Sequence, residues 1–251
     1  MNSYFCKKPC YDEIRLFSLD LIKKTQSLMK ILFTKNIDQD YVSEKLGNGI
    51  QIDCVEVIKT HPLVVKPFDL KNYSLIFTSI NGVISFFKNK FRPNEDFVQK
   101  NYNKIYCVGE KTKRELRKNG FGTFKVLNNA DALSKFIMDK CSHEKFIHFC
   151  GNIALDVLDK DCPLQNINYK KVPVYTTEEI NPMITEKYHA AVFFSPSGVR
   201  SFARRNSFDE MKIFSIGQTT SNELKKYTQN KIFTSSENTL KSVLEIIKTN
   251  I

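Results

Sequence analysis

The stretch AVFFSPSGVRSF at residues 191–202 stops a run of β-formers at Ser195-Pro196-Ser197-Gly198 and passes at once into an amphipathic segment. Serine is a good helix N-cap, and proline suits the first helical position, where its missing N–H is not needed. Gly198 leaves the turn open to close approach. A helix that starts here offers backbone N–H groups and a partial positive charge, a seat for carboxylate or phosphate. Taken alone, the same residues also read as ordinary capping chemistry.

The stretch does not stand alone. LIFTSINGVISFF begins at Leu75, 116 positions before Ala191, and FTKNI at Phe33 matches FCGNI at Phe149 with the same spacing. VEVIKT at Val55 matches KVPVYT at Lys171 in that register, and IYCVGEKTKREL at Ile105 matches IFSIGQTTSNEL at Ile213, now 108 apart. A weaker pair joins ADALSKFI near Ala130 to ENTLKSVL near Glu237. Five matches in one order point to an internal duplication, with a period too long for a solenoid. The change of spacing places eight extra residues in the first copy, read as a loop insertion within KNKFRPNEDFVQKN.

Each copy alternates strands with helices. The first offers KILFT, QIDCVEVI, SLIFTS, KIYCVG and TFKVL as strands, and the second KFIHFC, YKKVPVY, AAVFFS, KIFSIG and KIFTS. These are short β-branched or aromatic runs bounded by Gly, Ser or Asn. EKTKRELRKNG predicts a helix with Gly120 as its C-cap. Such alternation implies parallel sheets covered by helices on both faces, here two flavodoxin-like α/β domains. Ligands of open parallel sheets bind at the carboxyl ends of strands. Four polar turns fall there, at Ser79-Ile80-Asn81-Gly82, Gly109-Glu110-Lys111-Thr112, Ser195-Pro196-Ser197-Gly198 and Gly217-Gln218-Thr219-Thr220. Two domains facing each other would present them to a shared cleft, which suits a multiply anionic ligand.

Composition narrows the function classes. The 251 residues are enough for one large domain or two modest ones. The net charge of +11 favours an anionic partner. Its basic residues are scattered, without the clusters or aromatic interleaving that nucleic-acid binding requires. No apolar run approaches the roughly 18 residues of a membrane helix, so a soluble chain is expected. Cys6, Cys10, Cys54, Cys107, Cys141, Cys150 and Cys162 are odd in number and form no CxxC pair. They read as free thiols in a reducing compartment, the cytoplasm. Only Cys6 and Cys10 resemble a ligand pair, and His61, His143, His148 and His189 are scattered, so no metal site is expected. His148 reads as a satisfied strand residue. Residues 1–28 differ from the rest and lack the apolar core of a secretory signal; an extension, a weak organellar presequence or a surface helix all fit them.

From Met29 to Ile251, FTSINGV, VGEKT, CGN, VPVYTT, FFSPSGV and IGQTT occur in an order that resembles the uroporphyrinogen-III synthase family. The resemblance implies two flavodoxin-like domains joined by a two-stranded β connector. Domain 1 would comprise 29–56 plus 182–251, domain 2 would comprise 68–171, and the crossing strands would lie at 57–67 and 172–181. It implies a cofactor-independent lyase that closes hydroxymethylbilane, an octa-anion, into uroporphyrinogen III with ring D inverted and water lost. The upstream bilane-forming enzyme is then a candidate partner, and a monomer is expected.

By the same resemblance Tyr175 is the candidate catalytic residue, assisting departure of the ring A hydroxyl. Its duplication counterpart is Lys59, so the position is not a core requirement shared by both halves. Thr112, Thr219 and Thr220 match hydroxyl positions lining the cleft. Thr78, Ser79, Gly109, Ser195, Ser197, Gly198 and Gly217 complete the substrate-binding set, and Lys212 reads as a solvated lysine or a supporting cation. The chain departs from many relatives at Ile80 and Asn81, where proline and a basic residue are common, and at Ile153, Ala154 and Leu155, where arginines often follow the GN segment. Two other readings stay open. One is a two-domain clamp that binds an anion without reacting it. The other is a cofactor-independent racemase or isomerase, disfavoured because Cys150 has Thr34 as its counterpart.

Overall fold

The computed structural model describes residues 28–154 and 157–251, so the expectations for 1–27, for Cys6 and Cys10, and for Leu155 lie outside the described residues. In chain order the elements are β1 (Met29–Phe33), α1 (Gln39–Leu46), β2 (Ile50–Cys54), β3 (Ile58–Pro62), β4 (Ser74–Phe77), α2 (Ile80–Lys88), β5 (Glu95–Asp96), β6 (Asn101–Tyr102) and β7 (Ile105–Val108). There follow α3 (Glu110–Lys118), β8 (Lys125–Leu127), α4 (Ala130–Lys140), β9 (Phe146–Gly151), α5 (Val157–Leu164) and β10 (Tyr169–Glu179). The chain ends with β11 (Ala190–Phe193), α6 (Pro196–Ala203), β12 (Lys212–Ser215), α7 (Gln218–Leu224), β13 (Ile232–Thr234) and α8 (Leu240–Asn250).

These elements form two compact units, one from the segments up to Val57 and Asn181–Ile251, the other from Ile58–Ile180. The first holds the sheet β13-β12-β11-β1-β2, all parallel. The second holds β3-β10-β9-β4-β7-β8, parallel except at β3. Numbered within its unit, the first parallel sheet follows the flavodoxin order 2-1-3-4-5. The second runs 3-2-1-4-5, which becomes the same flavodoxin order once its strands are numbered by repeat position from β9. The reversals lie between β1 and β11 and between β9 and β4. The duplication is therefore real, but a sequence repeat is not a unit. The first copy gives β1 and β2 to one unit and β4, β7 and β8 to the other, and the second copy does the converse.

Two local expectations need correction. QIDCVEVI, read as one strand, is two: β2 ends at Cys54 and β3 begins at Ile58. Val55 N–H still bonds the Phe33 carbonyl, but the Val57 carbonyl is taken by the Ser201 hydroxyl, and β3 then pairs antiparallel with β10. The inserted segment is not all loop, because β5 and β6 close a short antiparallel ribbon. Asn103 anchors its base: its Oδ1 accepts from Asn94 N–H at 2.6 Å, and its Nδ2 donates to the Leu70 and Tyr73 carbonyls. Helix α3 ends as a Schellman motif, with Asn119 as cap and Gly120 one position later at φ 91°. Gly120 N–H bonds Arg117 O, Phe121 N–H bonds Leu116 O, and Phe121 and Leu116 pack in the same core.

The cores follow from strand periodicity. Along β4, β7 and β9, Leu75, Phe77, Ile105, Cys107, Ile147 and Phe149 enter one core, while Ile76, Tyr106 and Phe146 enter the other. Successive side chains of a strand point to opposite faces, and strands covered on both faces become continuous hydrophobic runs. In the other unit Ile31, Phe33, Ala190, Val192 and Phe214 form a core with Val243, Leu244 and Ile247 of α8.

Candidate active site

Ser79 and Ser195 both cap helices as their sequences predict. Each sits extended just before its helix, and its Oγ accepts the N–H three residues on, from Gly82 at 3.1 Å and from Gly198 at 3.0 Å. That geometry changes what the turns offer. Pro196 has no N–H and the Gly198 N–H is already bound, so the donors at the start of α6 narrow to Ser197 N–H and the two serine hydroxyls, which lie 3.2 Å apart. Gly198 is buried, and a Cβ there would meet Val57 Cγ2 at 3.0 Å. Its smallness thus serves packing by its own chain, where the sequence suggested approach by a ligand. Gly82 obeys the same rule more strictly, its Cβ position lying 2.7 Å from the Phe149 carbonyl oxygen.

Gly109 and Gly217 precede α3 and α7 without a side-chain cap. Gly109 adopts φ 81°, which favours glycine; Gly217 is extended, and its missing Cβ leaves room for the Asn238 carboxamide. Thr112 and Thr220 are buried in the first turns that follow, whereas Thr219 is exposed. Lys212 lies at the opposite end of its strand and donates to the Asn250 carbonyl at 2.6 Å. It closes the C-terminus of α8, so the supporting-cation reading fails.

Tyr175 and Ser79 meet across 96 residues, hydroxyl to hydroxyl at 2.9 Å. The ring lies flat on Gly151, where a Cβ would stand 2.7 Å from two ring carbons. Gly151 is the register partner of Tyr175, just past an irregularity at Pro173 that turns the phenol toward β4. Asn152 then staples β10 beyond the ring: its N–H bonds the Tyr175 carbonyl at 3.0 Å and its Oδ1 accepts from Thr177 N–H at 2.9 Å. This is the physical content of CGN, a motif visible in the sequence without its purpose. Burial raises the Tyr175 pKa against the opposing hydrogen bond from Ser79, so the phenol is neutral at physiological pH and has a proton to share.

On the other face of the same sheet, Thr78 Oγ1 lies 2.9 Å from His148 Nε2, and His148 Nδ1 lies 2.7 Å from the Tyr169 hydroxyl. The satisfied strand histidine is therefore found as expected; Tyr169 carried no signal of its own. Burial pushes the Cys150 thiol up to about 12, which leaves it a poor nucleophile and weakens the racemase reading further. Among the described residues no group of three or more His, Cys, Asp or Glu side chains has the arrangement of a metal site.

The His148 imidazole is pushed down to about 3, first by burial and then by Lys171, with Asp159 pulling the other way. The unfolded chain takes up a proton near pH 6.5 that the fold refuses until about pH 3, so stability is lost as pH falls through that window. Acidifying from about pH 7.5 to about pH 5.5 should cost about 1.4 kcal/mol from this residue alone. Urea midpoints of the wild type and His148→Phe at both pH values check this. Equal losses in the two proteins would mean that His148 is protonated in the fold.

Fold and site together define a duplicated α/β protein of flavodoxin-type order, with its polar groups gathered at the carboxyl ends of its strands. Residues 23–245 match the model of the family uroporphyrinogen-III synthase HemD, and the chain belongs to that family. Among solved structures it is similar to uroporphyrinogen-III synthetase from Helicobacter pylori, with 17% identity, a TM-score of 0.62, and 88% of this chain and 99% of that one covered. It is also similar to a mutant uroporphyrinogen III synthase from Thermus thermophilus, with 13% identity, a TM-score of 0.59, and 88% and 98% covered. At these identities the likeness speaks for the fold. A search of curated protein sequences finds no match.

Proposed function

We propose that the chain is a uroporphyrinogen-III synthase, a lyase that closes hydroxymethylbilane to uroporphyrinogen III with inversion of ring D and loss of water. The family match across residues 23–245 is the observation that supports this most directly. In this reading Tyr175 is the catalytic residue. Its neutral phenol, set by Gly151 and Ser79, donates a hydrogen bond or proton as the ring A hydroxyl leaves and a delocalised cation forms. Ring D then attacks through its substituted α-carbon, and the spiro intermediate fragments and recloses. Unaided closure gives no inversion, so much of the protein's task is to hold ring D in the required pose.

Thr78, Ser79, Gly109, Thr112, Ser195, Ser197, Gly198, Gly217, Thr219 and Thr220 mark the turns against which we place the substrate. The backbone and hydroxyl donors of these turns and the net charge of +11 suit eight carboxylates. Of the five buried positions, Thr112, Gly198, Gly217 and Thr220 act by shaping their turns, and Ser197 by its backbone N–H at the start of α6. We further propose that the protein works as a cytoplasmic monomer without a cofactor, receiving its substrate from the bilane-forming enzyme. The five free cysteines of the described chain suit a reducing compartment, and no helix among the described residues is long and apolar enough to cross a membrane.

The test supplies enzymatically generated hydroxymethylbilane and separates the oxidised products by isomer. A large excess of type III over a protein-free control is expected. Type I alone, from folded protein, would refute the assignment.

A further inference from the structure

The duplication exposes a difference between the two units, unit 1 with β1 and β11 and unit 2 with β4 and β9. In each, an asparagine just past a helix staples the segment that leads into the strand before that helix. Asn89 accepts the Val65 N–H at 2.8 Å and donates to the Leu63 and Ser85 carbonyls. Asn206 likewise accepts the Ile184 N–H at 2.8 Å and donates to the Pro182 and Phe202 carbonyls. From these matched anchors the chain differs in length: residues 66–73 lead on to β4, but only 185–189 lead on to β11. The longer segment carries Phe68 and Leu70, which pack in the core with Phe86 and Phe91. The shorter one, Thr185-Glu186-Lys187-Tyr188-His189, has no aliphatic or phenylalanine side chain to do the same.

The space left in unit 1 is a cavity of about 430 Å³, floored by the buried Leu32 and Phe202 and lined also by Ile184 and Met211. Phe202 is the repeat counterpart of Phe86, so this is the place that unit 2 fills. The cavity lies where β11 and β12 begin, away from the Ser195 and Gly217 turns at their other ends. Several polar groups of its rim are already paired: Glu186 with Lys30 at 2.7 Å, Lys187 with Glu210 at 3.7 Å, and the Tyr188 hydroxyl with Asp53 at 3.0 Å. The Arg205 guanidinium, the Asp209 carboxylate and one nitrogen of His189 have no such partner among the described residues. That nitrogen is a donor by geometry. His189 Nδ1 lies 3.0 Å from the Lys30 backbone N–H, which can only donate, so the ring proton sits on Nε2.

Two donors and one carboxylate over an apolar floor are the complement of a zwitterion with an apolar side chain. We infer that this cavity binds a free apolar α-amino acid. Its carboxylate meets Arg205 and His189, its ammonium meets Asp209, and its side chain lies on Leu32 and Phe202. The site is separate from the candidate active site, and the inference does not rest on the function proposed above.

Calorimetric titration of the full chain with L-leucine and with L-phenylalanine tests it. Saturable binding of at least one of them is expected, with a Kd of about 1 mM or tighter; no binding of either would overturn the inference. Arg205 and Asp209 are exposed, so Arg205→Met and Asp209→Asn should fold normally. Each should weaken binding about ten-fold, the effect of one lost charged hydrogen bond. Isocaproate, which lacks the ammonium, and leucinamide, which lacks the carboxylate, should each bind about ten-fold more weakly than leucine. Unchanged affinity in both variants, or isocaproate binding as tightly as leucine, would overturn the assignment. Amide NMR shifts on adding the amino acid should concentrate in residues 184–189 and 205–211. Shifts centred on the Ser195 and Gly217 turns would overturn the placement.

Discussion

Tyr175→Phe should lower the rate of type III product formation about a hundred-fold, the lower range of what a positioned proton donor contributes. The variant keeps the ring on Gly151 and leaves the Ser79 cap on Gly82 intact, so stability should change little. It removes the one hydroxyl that Ser79 engages across the sheet. If the phenol acts in the leaving step, kcat falls and type I product from unaided closure becomes prominent. Because burial raises the Tyr175 pKa above its ordinary value, its ionisation should cause no loss of rate below about pH 10. Isomer-resolved initial rates over that range check both statements. A variant with wild-type kcat would remove Tyr175 from the chemistry and leave it a packing role.

Phe149→Ala should cost unit 2 about 3–5 kcal/mol, the range for deleting a buried phenyl ring. Its ring lies 4.7 Å from that of Phe86, 5.0 Å from Phe91 and 5.8 Å from Phe77, at the centre of the core beneath Ser79 and Tyr175. The three fully buried phenylalanines around it, Phe77, Phe86 and Phe91, cannot close over the vacated volume without leaving their rotamers. The Phe149 carbonyl also rests against Gly82, so movement of β9 reaches the start of α2. Amide hydrogen exchange locates the effect: protection should fall in β4 and β9 and persist in β1 and β11. A loss below about 1 kcal/mol would show that the core refills the space.

How much of this was legible beforehand depends on the range of the forces involved. Ser79 and Ser195 were readable as caps because the acceptor and its N–H are three residues apart, as were the ends of β4 and β11. The helix α3 and its Gly120 stop are equally local. Lys212 was legible as a solvated lysine, but its partner was not, since Asn250 lies 38 residues on, at the end of another helix. Tyr175 stood out only through family resemblance, because its partner Ser79 belongs to the other sequence repeat. Tyr169 gave no sign, as its hydroxyl is defined by His148, 21 residues away on the neighbouring strand.

The sequence by itself determined the strand–helix alternation, the duplication, the capped turns and the family. Each is written in periodicity, in neighbouring residues or in ordered motifs. Tertiary structure alone decided that QIDCVEVI pairs as two strands in two different sheets, and that Gly198 is small to admit Val57. It also decided which hydroxyl faces which partner at Thr78, Ser79 and Tyr175. Those outcomes depend on contacts between residues distant in the chain, which form only when parallel strands align and their side chains compete for the same space and the same protons.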